Sequence, residues 1–196
     1  KTWERGELTV KNSKPQDVGK SDINDMANDD FVESYDLHLN SIARSDSGKL
    51  YIAAEAGRVY SSEDSGISWK ELTSPYVGSF FGVQPLEDDI ILVYGLRGHM
   101  YRSDNSGKSW IKVATHTKEM LTNSLLLQNG TIFIVGLGGV LLVSKDNGKS
   151  FSIVELGTRN GHSAIIQNEN GSLLTIGDNG ITLLNSAIIL DPEFKN

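Results

Sequence analysis

The sequence predicts an all-β fold, a β-propeller of four-stranded antiparallel blades, on three observations: a 41-residue repeat, short apolar runs of strand length, and turn residues in phase with both. Glycine recurs at 57, 98, 139 and 180, and again at 66, 107 and 148. A third series runs Gly48, Asp89, Gly130 and Gly171, and aromatic residues keep the same step at Trp69, Trp110 and Phe151. Helical periodicity is nowhere sustained. A meander of about 40 residues cannot bury both of its faces alone, so repeated units stack as blades.

The first complete unit reads as strands A to D at 37–44, 50–54, 58–62 and 68–72. Turns fall at Asp46-Ser47-Gly48, Glu55-Ala56-Gly57 and Asp64-Ser65-Gly66. Blades are expected at 37–75, 76–118 and 119–160, with a degenerate last blade at 161–190. That last unit has Asn185-Ser186-Ala187-Ile188-Ile189 where a turn with glycine and an aromatic residue belongs, so its fourth strand is expected to be missing or irregular. Lys1-Thr2-Trp3 matches Lys108-Ser109-Trp110, so 1–10 reads as the outer strand of a blade. Residues 11–36 interrupt the repeat with seven acidic side chains against three basic ones and read as an acidic, solvated insertion. Two arrangements satisfy this pattern. One is a partial ring of about four to five blades, the C-terminal part of a longer propeller; the other is a small closed ring of four.

The turn between strands C and D is the most specific element. Its three copies carry Ser62, Asp64, Gly66 and Trp69; Ser103, Asn105, Gly107 and Trp110; and Ser144, Asp146, Gly148 and Phe151. The carboxylate is expected to accept backbone N–H groups, the glycine to supply a positive φ, and the aromatic ring to tuck between sheets. Asn105 accepts as an aspartate does, without the charge. None of the three copies has the alternating acidic residues and distal glutamate of a calcium loop, so the turn reads as structural and no metal is expected.

Serine, any, aspartate, any, glycine, any, serine, aromatic is the Asp-box pattern. In this respect the chain resembles BNR/Asp-box propellers, and most closely the photosystem II assembly and stability factor family with its bacterial relatives. The resemblance covers residues 37–184. It implies a larger ring of around seven blades, a non-catalytic scaffold that holds a protein or peptide during biogenesis of a membrane complex, and an exported, periplasmic or lumenal, location. Cytoplasm is the alternative.

Composition excludes several other classes. A net charge of −7 offers no phosphate-neutralising surface, so nucleic acid is not expected as a partner. Zero cysteines exclude disulfide scaffolds, zinc ribbons and thiol catalysis. The longest apolar run, 132–143, is short and broken by Gly136, Gly138 and Gly139, so no transmembrane helix is predicted. Catalytic signatures are lacking too. Adjacent carboxylates such as Asp29-Asp30 and Asp88-Asp89 sit in turns or loops, and no Ser-His-Asp order, HExxH or phosphate-cradling loop occurs, so no catalytic residue and no cofactor is expected.

Alternating turns separate the two rims of the disc. The A–B and C–D turns carry Asp46, Asp64, Asp88, Asp89, Asp104, Asp146 and Glu169, and form an acidic rim. To the other rim map Arg58, Arg97, His99, His116, Lys118, Arg159 and His162, with His38 nearby. Arg58, Arg97, His99, Arg159 and His162 are therefore the candidate partner-binding residues, with arginine offering bidentate capture of a carboxylate or acidic peptide. The alternative function is a carbohydrate-active or glycan-binding propeller of the sialidase type, in which a longer chain supplies the missing acidic residues.

Overall fold

The computed structural model describes residues 37–87 and 89–184. The expected outer strand at 1–10, the insertion at 11–36, Asp88 and residues 185–190 of the last unit lie outside the described residues. Among the described residues, fifteen strands form four antiparallel sheets. The first blade is β1 (Leu39–Arg44), β2 (Leu50–Ala54), β3 (Val59–Ser62) and β4 (Lys70–Glu71). The second is β5 (Phe80–Pro85), β6 (Ile91–Gly95), β7 (Met100–Ser103) and β8 (Ile111–Val113). Next come β9 (Leu121–Leu126), β10 (Ile132–Gly136), β11 (Leu141–Ser144) and β12 (Ser152–Ile153). The fourth sheet has three described strands, β13 (His162–Gln167), β14 (Leu173–Gly177) and β15 (Gly180–Leu183).

Each sheet is a meander, and no closed ring is present among the described residues. The architecture is that of a partial propeller of four blades. The outer strand of the first blade is shorter than its apolar pattern suggests, because Ser68 and Trp69 belong to the turn. Ser68 donates N–H and Oγ–H to Asp64, and Trp69 donates its indole N–H to the Gly66 carbonyl at 3.1 Å, so ladder pairing starts at Lys70.

Blades meet through apolar seams that hold the core. Between the first two, Tyr51, Val59, Phe80, Val83 and Val93 are buried together. Between the second and third, Leu92, Tyr94, Met100 and Val113 meet Leu121, Ile132, Ile134, Leu142 and Phe151. The third and fourth share Phe133, Val135, Leu141, Ile165, Leu173 and Leu184.

The innermost strands are bulged in phase, with register shifts at Leu39/Ser41, Phe80/Gly82 and His162/Ala164. A bulge re-aims one side chain sideways. Asn40 accordingly donates to the Phe80 carbonyl at 2.8 Å, and Thr122 to the His162 carbonyl at 2.6 Å, tying neighbouring inner strands together.

The fourth blade breaks the register. In the first three, Ile52 faces Tyr60, Val93 faces Tyr101 and Ile134 faces Leu142, each pair 41 residues on from the last. Their B–C links are single 3-10 turns at Glu55–Gly57, Leu96–Gly98 and Leu137–Gly139. In the fourth, Gly177 pairs with Gly180 across the two residues Asp178 and Asn179, and Thr175 faces Thr182. A slip of one residue turns a strand over. Leu183, in phase with the buried Tyr60, Tyr101 and Leu142, is therefore 61% exposed, and Leu184 takes the inward place at 4%. By the 41-residue period Leu183 reads as a packing position with Tyr60, Tyr101 and Leu142, and the shortened turn corrects that reading.

Candidate functional site: the cationic rim

The C–D turns are closed by their own side chains. Ser62 is buried, donates to Asp64 Oδ1 at 2.8 Å and accepts the Gly66 N–H at 2.9 Å. Asp64 in turn accepts Ser68 N–H at 2.8 Å and Ser68 Oγ–H at 2.6 Å, closing the loop. Ser144, Asp146, Gly148 and Ser150 repeat the arrangement. Asn105 accepts the Ser109 N–H through Oδ1 and donates Nδ2–H to Ser109 Oγ, so the amide reproduces the contacts. The glycines have φ of +89°, +81° and +74° at 66, 107 and 148. Trp110 bonds the Thr73 carbonyl at 2.7 Å and Phe151 is buried in the seam between the second and third blades, so both rings reach outside their own turns.

These hydrogen bonds give the fold an acid limit. Those from Ser68 and Ser62 lower the Asp64 pKa from 3.8 to about 2. At Asp146 burial works upward, and the hydrogen bonds from Ser150, Ser144 and Lys149 outweigh it, leaving the carboxyl below its ordinary range. A carboxylate with a depressed folded pKa stabilises the fold above the unfolded value and loses that contribution as pH falls. Thermal melts are expected to show a stability loss between about pH 4 and pH 2. Asp64→Asn, which imitates Asn105, should flatten that loss, and an unchanged pH profile would refute the assignment.

The B–C links and the D–A connections share one rim. A Cβ at Gly57 would lie 1.8 Å from the Tyr76 carbonyl oxygen, and one at Gly98 2.3 Å from that of Thr117. On this rim Arg97 adopts φ +56° and is exposed. His99 follows just before β7, with its ring stacked on Tyr76 at 4.4 Å between centroids and 14° between planes. Tyr101 lies beyond, 6.3 Å from His99 and 6.1 Å from Tyr76. Partial burial first, then the charges of Lys112 and Arg97, push the His99 pKa below its usual value. The ring is thus held neutral among cations, beside an aromatic face.

The other candidates are placed differently. Arg58, one repeat before His99, lies beside Tyr60 on the side of the first blade away from that seam, and its Nη1 contacts both oxygens of Glu71 at 2.8 Å, so part of its capacity is committed. Arg159 is 89% exposed and lies 3.9 Å from Glu119, two blades away from Arg58. His162 is not a surface residue. It begins the inner strand of the fourth blade at 4% exposure, its Nε2 has no hydrogen-bond partner among the described residues, and burial lowers its pKa against an opposing effect of Asp178. The sequence maps His162 to the rim; in the structure it is buried at the seam position that Leu121 fills one repeat earlier. It is withdrawn from the binding set.

Tyr76 is the rim residue that sequence reasoning missed. Its phase mates are Thr117 and Thr158, and this departure from the repeat was the available signal. Among the described residues no group of three His, Asp or Glu converges to hold a metal ion. No helix there is long and apolar enough to cross a membrane.

Comparison with solved structures settles the fold class. It is a β-propeller. A structure of YCF48 bound to D1 peptide superposes with a TM-score of 0.58 at 20% identity, over 76% of this chain and 49% of that one. The WD40 propeller domain of Doa1 matches with a TM-score of 0.62 at 13% identity, over 74% and 49%. An ancestral GH74 enzyme matches with a TM-score of 0.64 at 16% identity, over 74% of this chain and 22% of that one. The chain therefore spans about half the length of the YCF48 chain it matches. No protein-family model and no curated protein matches the sequence.

Proposed function

We propose that the chain is a non-catalytic, peptide-binding propeller segment that serves as an assembly or stability factor for a membrane protein complex. Its cationic rim takes an acidic or carboxylate-bearing peptide. The observation that carries this reading is the cluster of exposed Arg97, neutral His99 and stacked Tyr76 at the seam of the first two blades, with Arg58 on the same rim at the position of His99 one blade earlier. Such a cluster offers a bidentate guanidinium, a ring that serves as donor or acceptor, and an aromatic wall, which together suit a carboxylate on an apolar stem. The YCF48 structure with a bound peptide supports this use of the fold. An exported, periplasmic or lumenal, location belongs to the same reading and follows from the Asp-box resemblance.

The test is a titration of the purified chain with a fluorescent D1 peptide, and with the same peptide with its carboxylates amidated. Saturable binding of the acidic form is expected, weakened about tenfold or more in Arg58→Ala/Arg97→Ala with an unchanged melting temperature. Equal affinity of the double variant, or equal binding of the amidated peptide, overturns the proposal.

A further inference from the structure

The repeat supplies its own control for each seam, and one seam departs from the others at four positions that meet in space. Between the second and third blades the seam is closed at its outer edge by Arg102, which is 6% exposed. Its Nε donates to the Asn147 carbonyl at 3.0 Å and its guanidinium pairs with Asp104. One repeat later the same position is Val143, also buried. Between the first and second blades that position is Ser61, and a cavity of about 440 Å³ opens there on the acidic rim.

The other three changes each add a donor. Lys49 stands where the next repeat has Ile90, Tyr51 where it has Leu92, and Lys70 where it has Ile111. All three line the cavity, and Lys108 joins them from the turn of the second blade. Lys49 Nζ lies 3.7 Å from Glu63 and 3.3 Å from Asp89, so it replaces Arg102 as the cation that answers the local carboxylates. Lys70 and Lys108 are exposed and make no ion pair among the described residues. The Tyr51 hydroxyl is buried without a hydrogen-bond partner there, which is costly unless a ligand or water satisfies it. Asp64 also borders the cavity, but its oxygens are taken by Ser62 and Ser68.

We propose that this cavity is a binding site for a carboxylate on a slender stem. Lys70 and Lys108 hold the charge, and the Tyr51 and Ser61 hydroxyls donate to the oxygens. The site is independent of the cationic rim, because it opens on the opposite face of the disc. Its carboxylate comes from a free dicarboxylic acid or from a glutamate side chain of a peptide.

The experiment is calorimetric titration of the full chain with succinate, and separately with a short blocked peptide carrying one glutamate and with its glutamine counterpart. Saturable binding is expected for a carboxylate ligand and not for the glutamine peptide. Lys70→Gln and Lys108→Gln should each weaken it about tenfold, the loss of one charge-assisted hydrogen bond. Ser61→Arg, which fills the cavity as Arg102 fills the next seam, should abolish it. Lys149→Gln, the phase mate of Lys108, should leave it within about twofold. Binding of succinate identifies a free acid as sufficient, whereas binding of the glutamate peptide alone identifies a peptide ligand. No saturable binding of either, or affinity unchanged in the two lysine variants, overturns the proposal even where Ser61→Arg fails to fold.

Discussion

Gly57→Ala is expected to destabilise the chain by about 4 kcal/mol or more, at the upper end of single-substitution effects. Two costs combine. The residue has φ +73°, a left-handed conformation that costs an L-residue about 1–2 kcal/mol. The added Cβ would also lie 1.8 Å from the Tyr76 carbonyl oxygen, a backbone atom with no rotamer in which to retreat. Gly130→Ala isolates the first cost, since Gly130 has φ +83° and nothing within 4 Å of its ideal Cβ. Urea unfolding of the two variants should therefore differ by several-fold in lost stability. Because Gly57 supports the backbone of Tyr76, Gly57→Ala should also disturb the Tyr76–His99 stack and weaken peptide capture, while Gly130→Ala should not. Equal losses of stability would mean that the link and the D–A connection do not touch.

Leu142→Ala is expected to cost about 3 kcal/mol, the usual loss for a fully buried leucine whose cavity does not collapse. Its phase mate Leu183, 61% exposed, should lose less than about 0.5 kcal/mol on the same change. Leu184→Ala, by contrast, should cost about 2 kcal/mol or more, because Leu184 is the residue that faces the third blade. Denaturation midpoints of the three variants rank the positions directly. A large loss at Leu183 with none at Leu184 would restore the period of the first three blades and refute the slipped register.

Much of the fold was legible because its determinants are local. The 41-residue step set the strand order, and β2 appears at 50–54 as its apolar run and flanking turn residues indicate. Asn105 was readable as a stand-in for aspartate, since an Asx turn depends on one acceptor and the next few N–H groups. The rim assignment placed Arg58, Arg97 and His99 on one side because a meander alternates its turns between the two ends. His162 and Leu183 were misread for one shared reason: a period states which residue occupies a position, and burial depends on what the neighbouring blade puts opposite. Asp178 and Asn179 shortened one link by a residue, and every side chain of β15 changed sides.

The sequence alone determined the propeller class, the chemistry of the turns and the pairing inside the first three blades, because these rest on contacts within a few residues or between successive strands. Only the tertiary structure decided what meets across the seams: the stacking of Tyr76 on His99, the burial of His162, and the cavity left where Ser61 replaces arginine. Those outcomes depend on the packing of side chains from different blades about 40 residues apart, and no local pattern encodes which of them fits against which.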